Sequence, residues 1–230
     1  MITFSFQIKE VFDMKYSEWD PIYKEILVDF GFEQEKDDEA AGVASELIAR
    51  KREGIETVKQ EVERRIKGKI ALICGNAPCL ERDIREKEFD DVSRDIVVIA
   101  ADGATSVLLR NAIIPELVVS DLDGNIGDII YAHRLGAIIV VHAHGDNIAM
   151  LKKVLPVLNE NVICTTQSKP IRNVFNFGGF TDGDRCVFLA TEFGADKIEL
   201  IGFDYEDTEV SARKKKKLKW AKRLIGEVIT

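Results

Sequence analysis

The alternation of short apolar runs with amphipathic stretches from Lys69 onward leaves few architectures open. Continuous Val, Ile and Leu character marks expected strands at Ile70–Cys74, Ile96–Ala101, Leu117–Ser120, Ile138–His142, Val162–Thr165 and Ile198–Gly202. Strands of this kind are buried on both faces, which calls for helices on both sides of a parallel sheet. The helical period supplies them at Thr105–Asn111, Ile126–Leu135, Ile148–Leu158, Arg185–Phe193 and Lys214–Val228. The expected class is α/β, a largely parallel sheet sandwiched by helices.

Residues 1–67 follow another pattern. Ser17 reads as a helix N-cap with acidic residues behind it, and Gly31 as that helix's stop. A second helix is expected from about Asp37, and Arg50–Lys69 continues helically with Ile55, Val58, Val62 and Ile66 on one stripe. No catalytic pattern stands out here. This segment reads as a small, mainly helical cap or a dimerisation module, which in the second case implies a homodimer. The α/β domain would then occupy residues 68–230, a length sufficient for a real core.

Composition closes off several function classes. With 46% hydrophobic and 31% charged residues the chain folds rather than staying disordered. A net charge of −8 argues against general nucleic-acid binding. No apolar run approaches the roughly 20 residues of a membrane helix. The opening Met1–Ile8 lacks the basic region and apolar core of a signal peptide, so a cytoplasmic location is expected. Cys74, Cys79, Cys164 and Cys186 form no C-x-x-C pair and read as small buried hydrophobes.

The chemistry lies at the strand ends, where open α/β sheets bind ligands. The first strand runs into Gly75-Asn76-Ala77-Pro78, the second into Asp102-Gly103-Ala104-Thr105, and the third into Asp121-Leu122-Asp123-Gly124. The fourth leads to His144-Gly145-Asp146-Asn147, the fifth towards Gly178-Gly179-Phe180-Thr181-Asp182-Gly183-Asp184-Arg185, and the last to Phe203-Asp204. Close carboxylates repel one another, and a cation between them resolves the conflict. Asp121-x-Asp123 suits a hard ion such as Mg²⁺, although Asp and Gly are also ordinary turn formers. Gly75 and Gly103 would let a phosphate approach the backbone. Neither the dinucleotide fingerprint nor the P-loop occurs. His142 and His144 read as polar strand-end residues rather than zinc ligands, His133 as a boundary histidine, and Trp19 and Trp220 as packing anchors.

Taken in order, Asp102-Gly103-Ala104-Thr105, Pro115 through Ser120-Asp121-Leu122-Asp123-Gly124, and His144-Gly145-Asp146-Asn147 resemble thiamin pyrophosphokinase. The departures at Ala104, Ser106 and Gly124 place the chain outside the thiamin enzymes proper. The fuller set resembles archaeal 6-hydroxymethyl-7,8-dihydropterin pyrophosphokinase over nearly the whole chain. That set comprises Gly-Asn-Ala-Pro, Ser-Asp-Leu-Asp-Gly, His-x-His-Gly-Asp-Asn, Gly-Gly-Phe-Thr-Asp-Gly-Asp-Arg and the N-terminal Phe30-Gly31-Phe32.

This resemblance implies transfer of a diphosphate from ATP to the hydroxymethyl group of a reduced pterin, with Mg²⁺ as cofactor and AMP as second product, in tetrahydromethanopterin or folate biosynthesis. On that basis Asp121 and Asp123 hold the metal, with Asp102 and Asp146 as further ligands or water-mediated partners. Gly75, Asn76, Gly103 and Thr105 line the nucleotide phosphates. Asp182 or Asp184 reads the pterin, Asp204 stands behind them, and Asn147 and Gly179 adjoin the substrate. The basic run Arg213–Lys217 reads as the solvated start of the last helix. Yet that helix's apolar stripe, extended backwards, turns Lys214 and Lys217 towards the body, where one or both are expected to reach the triphosphate as a flexible lid. Two rival readings use the same acids: a metal-dependent glycosyltransferase acting on a nucleotide-sugar, and a non-catalytic nucleotide sensor.

Overall fold

The computed structural model describes residues 4–7, 15–51, 54–87 and 95–229. Parts of the expected 1–67 segment, of the Met1–Ile8 opening and of the Arg50–Lys69 stretch lie outside these residues. The elements run β1 (Phe4–Gln7), α1 (Tyr16–Phe30), α2 (Gln34–Ile48), α3 (Ile55–Ile66), β2 (Ile70–Cys74) and α4 (Leu80–Glu86). There follow β3 (Ile96–Ala101), α5 (Ala104–Arg110), β4 (Leu117–Ser120), α6 (Ile126–Arg134) and β5 (Ile138–Ala143). After a 3₁₀ turn at Gly145–Asn147 come α7 (Ile148–Val154), β6 (Val162–Thr166), β7 (Val174–Phe175), α8 (Asp182–Glu192), β8 (Lys197–Ile201) and α9 (Ala212–Val228).

One sheet contains every strand among the described residues, in the order β1-β8-β2-β3-β4-β5-β6-β7. Pairing is parallel from β8 through β7, and β1 adds an antiparallel edge to β8. Side-chain alternation divides the core. Ala71, Ile73, Val97, Ile99, Leu117 and Val119 face one way, against Trp19, Tyr23 and Ile26 of α1, the apolar stripe of α3, and α8 and α9. Leu72, Cys74, Val98, Ala100 and Val118 face the other, against α4 to α7 and Ala40, Ala41, Ala44 and Ile48 of α2. The expected boundary at 67/68 falls between α3 and β2, and helices from before it pack on both faces of the sheet.

Local corrections have local causes. The first helix starts at Tyr16 with Lys15 as N-cap, so Ser17 lies inside it, while Gly31 ends it in the left-handed conformation at φ 67°. α2 begins at Gln34, three residues before the expected Asp37, which is buried in its first turn. The charged stretch after Arg50 is not helical throughout, because α3 starts only at Ile55, after Gly54. His133 is buried, not at a boundary: Nδ1 donates to Ala137 O at 3.0 Å while Nε2 accepts from Asn159 N at 2.9 Å. Sequence periodicity missed β1, the two-residue β7 and α4. No helix among the described residues is long and apolar enough to cross a membrane.

Trp19 welds the N-terminal helix to this frame. It is fully buried, meets Phe188 edge-on at 6.2 Å between centroids, and donates from Nε1 to Gln167 O at 2.8 Å. Replacing Trp19 by Ala should lower unfolding free energy by about 3–5 kcal/mol, read from denaturant melts. A loss below about 1 kcal/mol would show that α1 is not part of the cooperative core.

Candidate active site

The carboxyl edge of the sheet gathers acids by backbone geometry. Asp102, immediately after β3, takes φ 31° and donates its amide to Val119 O on β4 at 2.8 Å. Ser120, the last residue of β4, donates from Oγ to Asp102 Oδ2 at 2.5 Å and accepts from the Leu122 amide at 2.8 Å. Leu122 is itself left-handed at φ 67°, so its side chain is buried while Asp121 and Asp123 flank it. Non-glycine residues in this conformation typically store strain of about 1–3 kcal/mol, which collects at functional sites. Asp182 arrives from the opposite side as the first residue of α8.

Asp102, Asp121 and Asp182 each offer a carboxylate oxygen, and the three atoms lie within 4.8 Å of one another. Burial, against which the Ser120 hydrogen bond works, and the charges of Asp123 and Asp121 push the Asp102 carboxyl up to about 6. Burial and then Asp121 raise Asp182, with Arg185 opposing. Burial and Asp121 likewise raise Asp123. Burial disfavours charge at Asp121 too, yet the His144 hydrogen bond and Arg185 hold its carboxyl below the ordinary range. His144 Nδ1 accepts from the Asp146 amide at 3.3 Å, which leaves Nε2–H to face Asp121 Oδ2 at 3.4 Å. Asp102 Oδ1 is buried without a hydrogen-bond partner of good geometry, although the Gly124 amide lies beside it. Crowded acids around an unsatisfied oxygen fit a hard divalent cation.

Several expected site residues turn out to build the site. Asn147 Nδ2 donates to Asp121 O at 2.6 Å and His142 O at 2.7 Å, and its Oδ1 accepts from His144 N at 3.1 Å. It braces the acid loop through both ends of its amide. Asp184 accepts from Phe180 N, Thr181 N and Thr181 Oγ1, which makes it the capping residue of α8. Asp204 is exposed and closes a turn onto Glu206 N at 3.0 Å. Asp146 is exposed and lies outside the three-acid group, whereas Asp123 stays within its field.

The glycines serve internal contacts. A Cβ on Gly75 would stand 2.5 Å from Gly202 O, so its bareness admits a neighbouring backbone. One on Gly103 would sit 2.3 Å from Asn76 Nδ2, and one on Gly124 only 1.7 Å from Asp102 Oδ1. Thr105 is buried at the start of α5, and its Oγ1 is unpartnered among the described residues.

Beside the acids opens a pocket of about 320 Å³, lined by Phe30, Phe32, Asp37, Asp121, Arg185, Arg213 and Lys217 among others. The α1–α2 turn forms one wall. Asp37 anchors that turn by accepting from Tyr23 Oη at 2.7 Å, Gln167 Nε2 at 2.7 Å and Gly145 N at 2.9 Å. α9 forms another wall, with cations on aromatic faces: Arg213 is 5.4 Å from the Phe32 centroid and Lys217 5.9 Å from that of Phe180. Lys217 thus lines the pocket, while Lys214 is exposed and does not. Sequence reasoning missed Asp37, Arg213 and the role of the Phe30–Phe32 turn. Only the Phe-Gly-Phe motif hinted at the turn, and nothing in the sequence pointed to Asp37.

Residues 46–210 match the family model described as 6-hydroxymethylpterin diphosphokinase MptE-like. A Pyrococcus furiosus protein named 6-hydroxymethyl-7,8-dihydropterin pyrophosphokinase is 41% identical over 92% of this chain and 93% of its own length. Proteins of the same name from Methanocaldococcus jannaschii and Methanothermobacter thermautotrophicus are each 40% identical, over 93% and 92% of this chain and 95% and 94% of their own lengths.

The raised Asp102 carboxyl has a consequence for stability without metal. A folded-state value above the unfolded one contributes stability that is complete below about pH 4 and lost as pH rises through about 6. Asp102→Asn does not titrate. In chelator, its stability relative to wild type should therefore improve by about 2–3 kcal/mol between pH 4 and pH 8. A difference between the two proteins that does not change with pH would refute the electrostatic picture of the cluster.

Proposed function

The chain belongs to the 6-hydroxymethylpterin diphosphokinase MptE-like family, and from that membership we propose how its site moves a diphosphate from ATP, with Mg²⁺ as the cation. It is a diphosphotransferase acting on a hydroxymethyl-pterin. The observation that carries the mechanistic reading is the convergence of Asp102, Asp121 and Asp182 beside a pocket lined by cations. The glycosyltransferase and sensor readings find no support among relatives that are named pyrophosphokinases.

Asp102, Asp121 and Asp182 would hold the cation, with Asp123 reaching it through water. Bound there, Mg²⁺ would neutralise phosphate oxygens and make the phosphorus under attack more electrophilic. The pterin hydroxymethyl oxygen forms a bond to the β-phosphorus. The bond from that phosphorus to the α–β bridging oxygen breaks, the oxygen leaves with AMP and its electron pair, and the hydroxyl proton passes to water. Such transfer depends on alignment and charge neutralisation more than on covalent help from the protein. Lys217 would meet the terminal phosphate from α9. Asn76 and Thr105 would contact the nucleotide, while Gly75 and Gly103 act by clearing room for Gly202 and Asn76. His144 and Asn147 hold Asp121 in place from behind.

The bond that breaks can be read directly. Incubation with γ-labelled ATP, Mg²⁺ and reduced hydroxymethyl-pterin should place the label in a pterin diphosphate, with AMP in equal amount. ADP, or free phosphate without a pterin product, would sink the assignment.

Substitutions separate the acids. Asp121→Asn and Asp182→Asn should each lower turnover by about 100-fold or more at saturating Mg²⁺ while remaining folded, because a ligand to the neutralising ion is gone. Asp146→Asn should stay within about threefold of wild type, as expected for a surface position outside the cluster. Equal losses at Asp182 and Asp146 would mean that the ion sits elsewhere.

A further inference from the structure

We propose that Arg185 is a catalytic residue of the transfer, its guanidinium gripping the non-bridging oxygens of the diphosphate being moved. The inference rests on the diphosphotransfer reading and adds a contact to it.

Arg185 occupies the first turn of α8 and is 7% exposed. Both facts are costly. The positive end of the helix dipole disfavours a cation there, and a buried guanidinium needs strong partners to offset its lost hydration. Its protein partners are weak. Nη1 donates to Asp182 Oδ1 at 3.2 Å and Nη2 to Gln167 Oε1 at 3.3 Å, whereas charge-assisted bonds typically run near 2.7–2.9 Å. Nε is buried with no partner among the described residues. A guanidinium has five N–H donors, so most of this one's capacity is unspent.

The fold nevertheless makes room for it. Gly179 is left-handed at φ 89°, and a Cβ there would lie 2.8 Å from Arg185 Cα and Cγ. Gly179 therefore clears a path for the arginine stem, while the bareness of Gly178 makes room for the Phe188 ring. The arginine lines the pocket of about 320 Å³ together with Asp121, Arg213 and Lys217. A structural counter-ion for Asp182 alone would be served by one short, saturated ion pair. A planar fork with spare donors, fixed beside a site for phosphate, is instead suited to bidentate recognition of phosphate oxygens.

Arg185→Lys, Arg185→Gln and Arg185→Ala distinguish the roles. With Arg185→Lys, which keeps the charge but not the fork, kcat/KM for ATP should fall about 100-fold or more, short of the roughly 10³–10⁵ lost when an arginine leaves a transferring phosphoryl group altogether. The pterin KM should stay within about twofold. Free guanidinium at millimolar concentration should restore part of the activity of Arg185→Ala, which a purely structural role would not allow. Binding of inorganic pyrophosphate with Mg²⁺, followed by calorimetry, should weaken about tenfold or more in Arg185→Gln. In the wild type soaked with Mg²⁺ and pyrophosphate, an Nη atom should lie about 3 Å from a phosphate oxygen. That measurement holds even if a variant fails to fold. Unchanged pyrophosphate affinity, or phosphate oxygens out of the arginine's reach, would overturn the proposal. A wild type that makes no pterin diphosphate would instead refute the reaction, and the pyrophosphate experiments would still judge the arginine.

Discussion

Repulsion among Asp102, Asp121 and Asp182 is the force that the rest of this edge of the sheet has to resist. Left to themselves, three carboxylates with oxygens inside 4.8 Å would swing apart into water. Each is pinned by something other than its own preference. Ser120 holds Asp102 from the neighbouring strand, Asn147 holds the backbone of Asp121, and the cap of α8 fixes the helix turn that carries Asp182. Two left-handed residues, Asp102 and Leu122, accept strain so that the acids point inward. The sheet behind them is dry on both faces, and only a frame of that rigidity holds such an arrangement.

The N-terminal helices complete the same construction. Trp19 and Tyr23 lie in the core, and Tyr23 reaches Asp37, which in turn gathers Gln167 and the Gly145 amide next to the acid loop. One buried carboxylate thus ties α1, α2, the end of β5 and the end of β6 together. α9 is clamped on the same helix through Lys216 and Trp220 to Asp29 and through Arg223 to Glu25. Those exposed pairs contribute little individually, but together they set the height of Arg213 and Lys217 above the pocket.

The frame was legible because strands buried on both faces carry a distinctive apolar run, and the strand ends then followed from topology. The pairing of Asp102 with Asp121 was legible for the same reason, since adjacent parallel strands end side by side. The place of Asp182 was not. Asp182 and Asp184 are equivalent in the sequence, and only the capping geometry of α8 decides that Asp184 turns inward to Thr181 while Asp182 faces the other acids. Asn147 misled for a related reason. A polar residue next to a conspicuous acid invites a substrate role, yet an amide with one acceptor and two donors is also what a crowded loop needs as a brace. Asp37 gave no signal at all, because acids in the first turn of a helix are common for dipole reasons alone.

Glycine carried the most ambiguous message, and its resolution bears on what the site is for. Gly75, Gly103 and Gly179 look like openings for a ligand, but each makes way for another part of the chain, Gly202, Asn76 and Arg185, as Gly124 does for Asp102. The protein therefore uses absent side chains to bring its own charged and polar groups close together. The result is a site with two imbalances of opposite sign, an excess of carboxylate around Asp102 and an underused set of cations at Arg185, Arg213 and Lys217. They do not cancel directly, because only Arg185 reaches an acid of the cluster and does so with a long bond. A ligand that itself carries both signs, a polyphosphate with a divalent ion, satisfies both at once, and neither a bare anion nor a bare cation can do so.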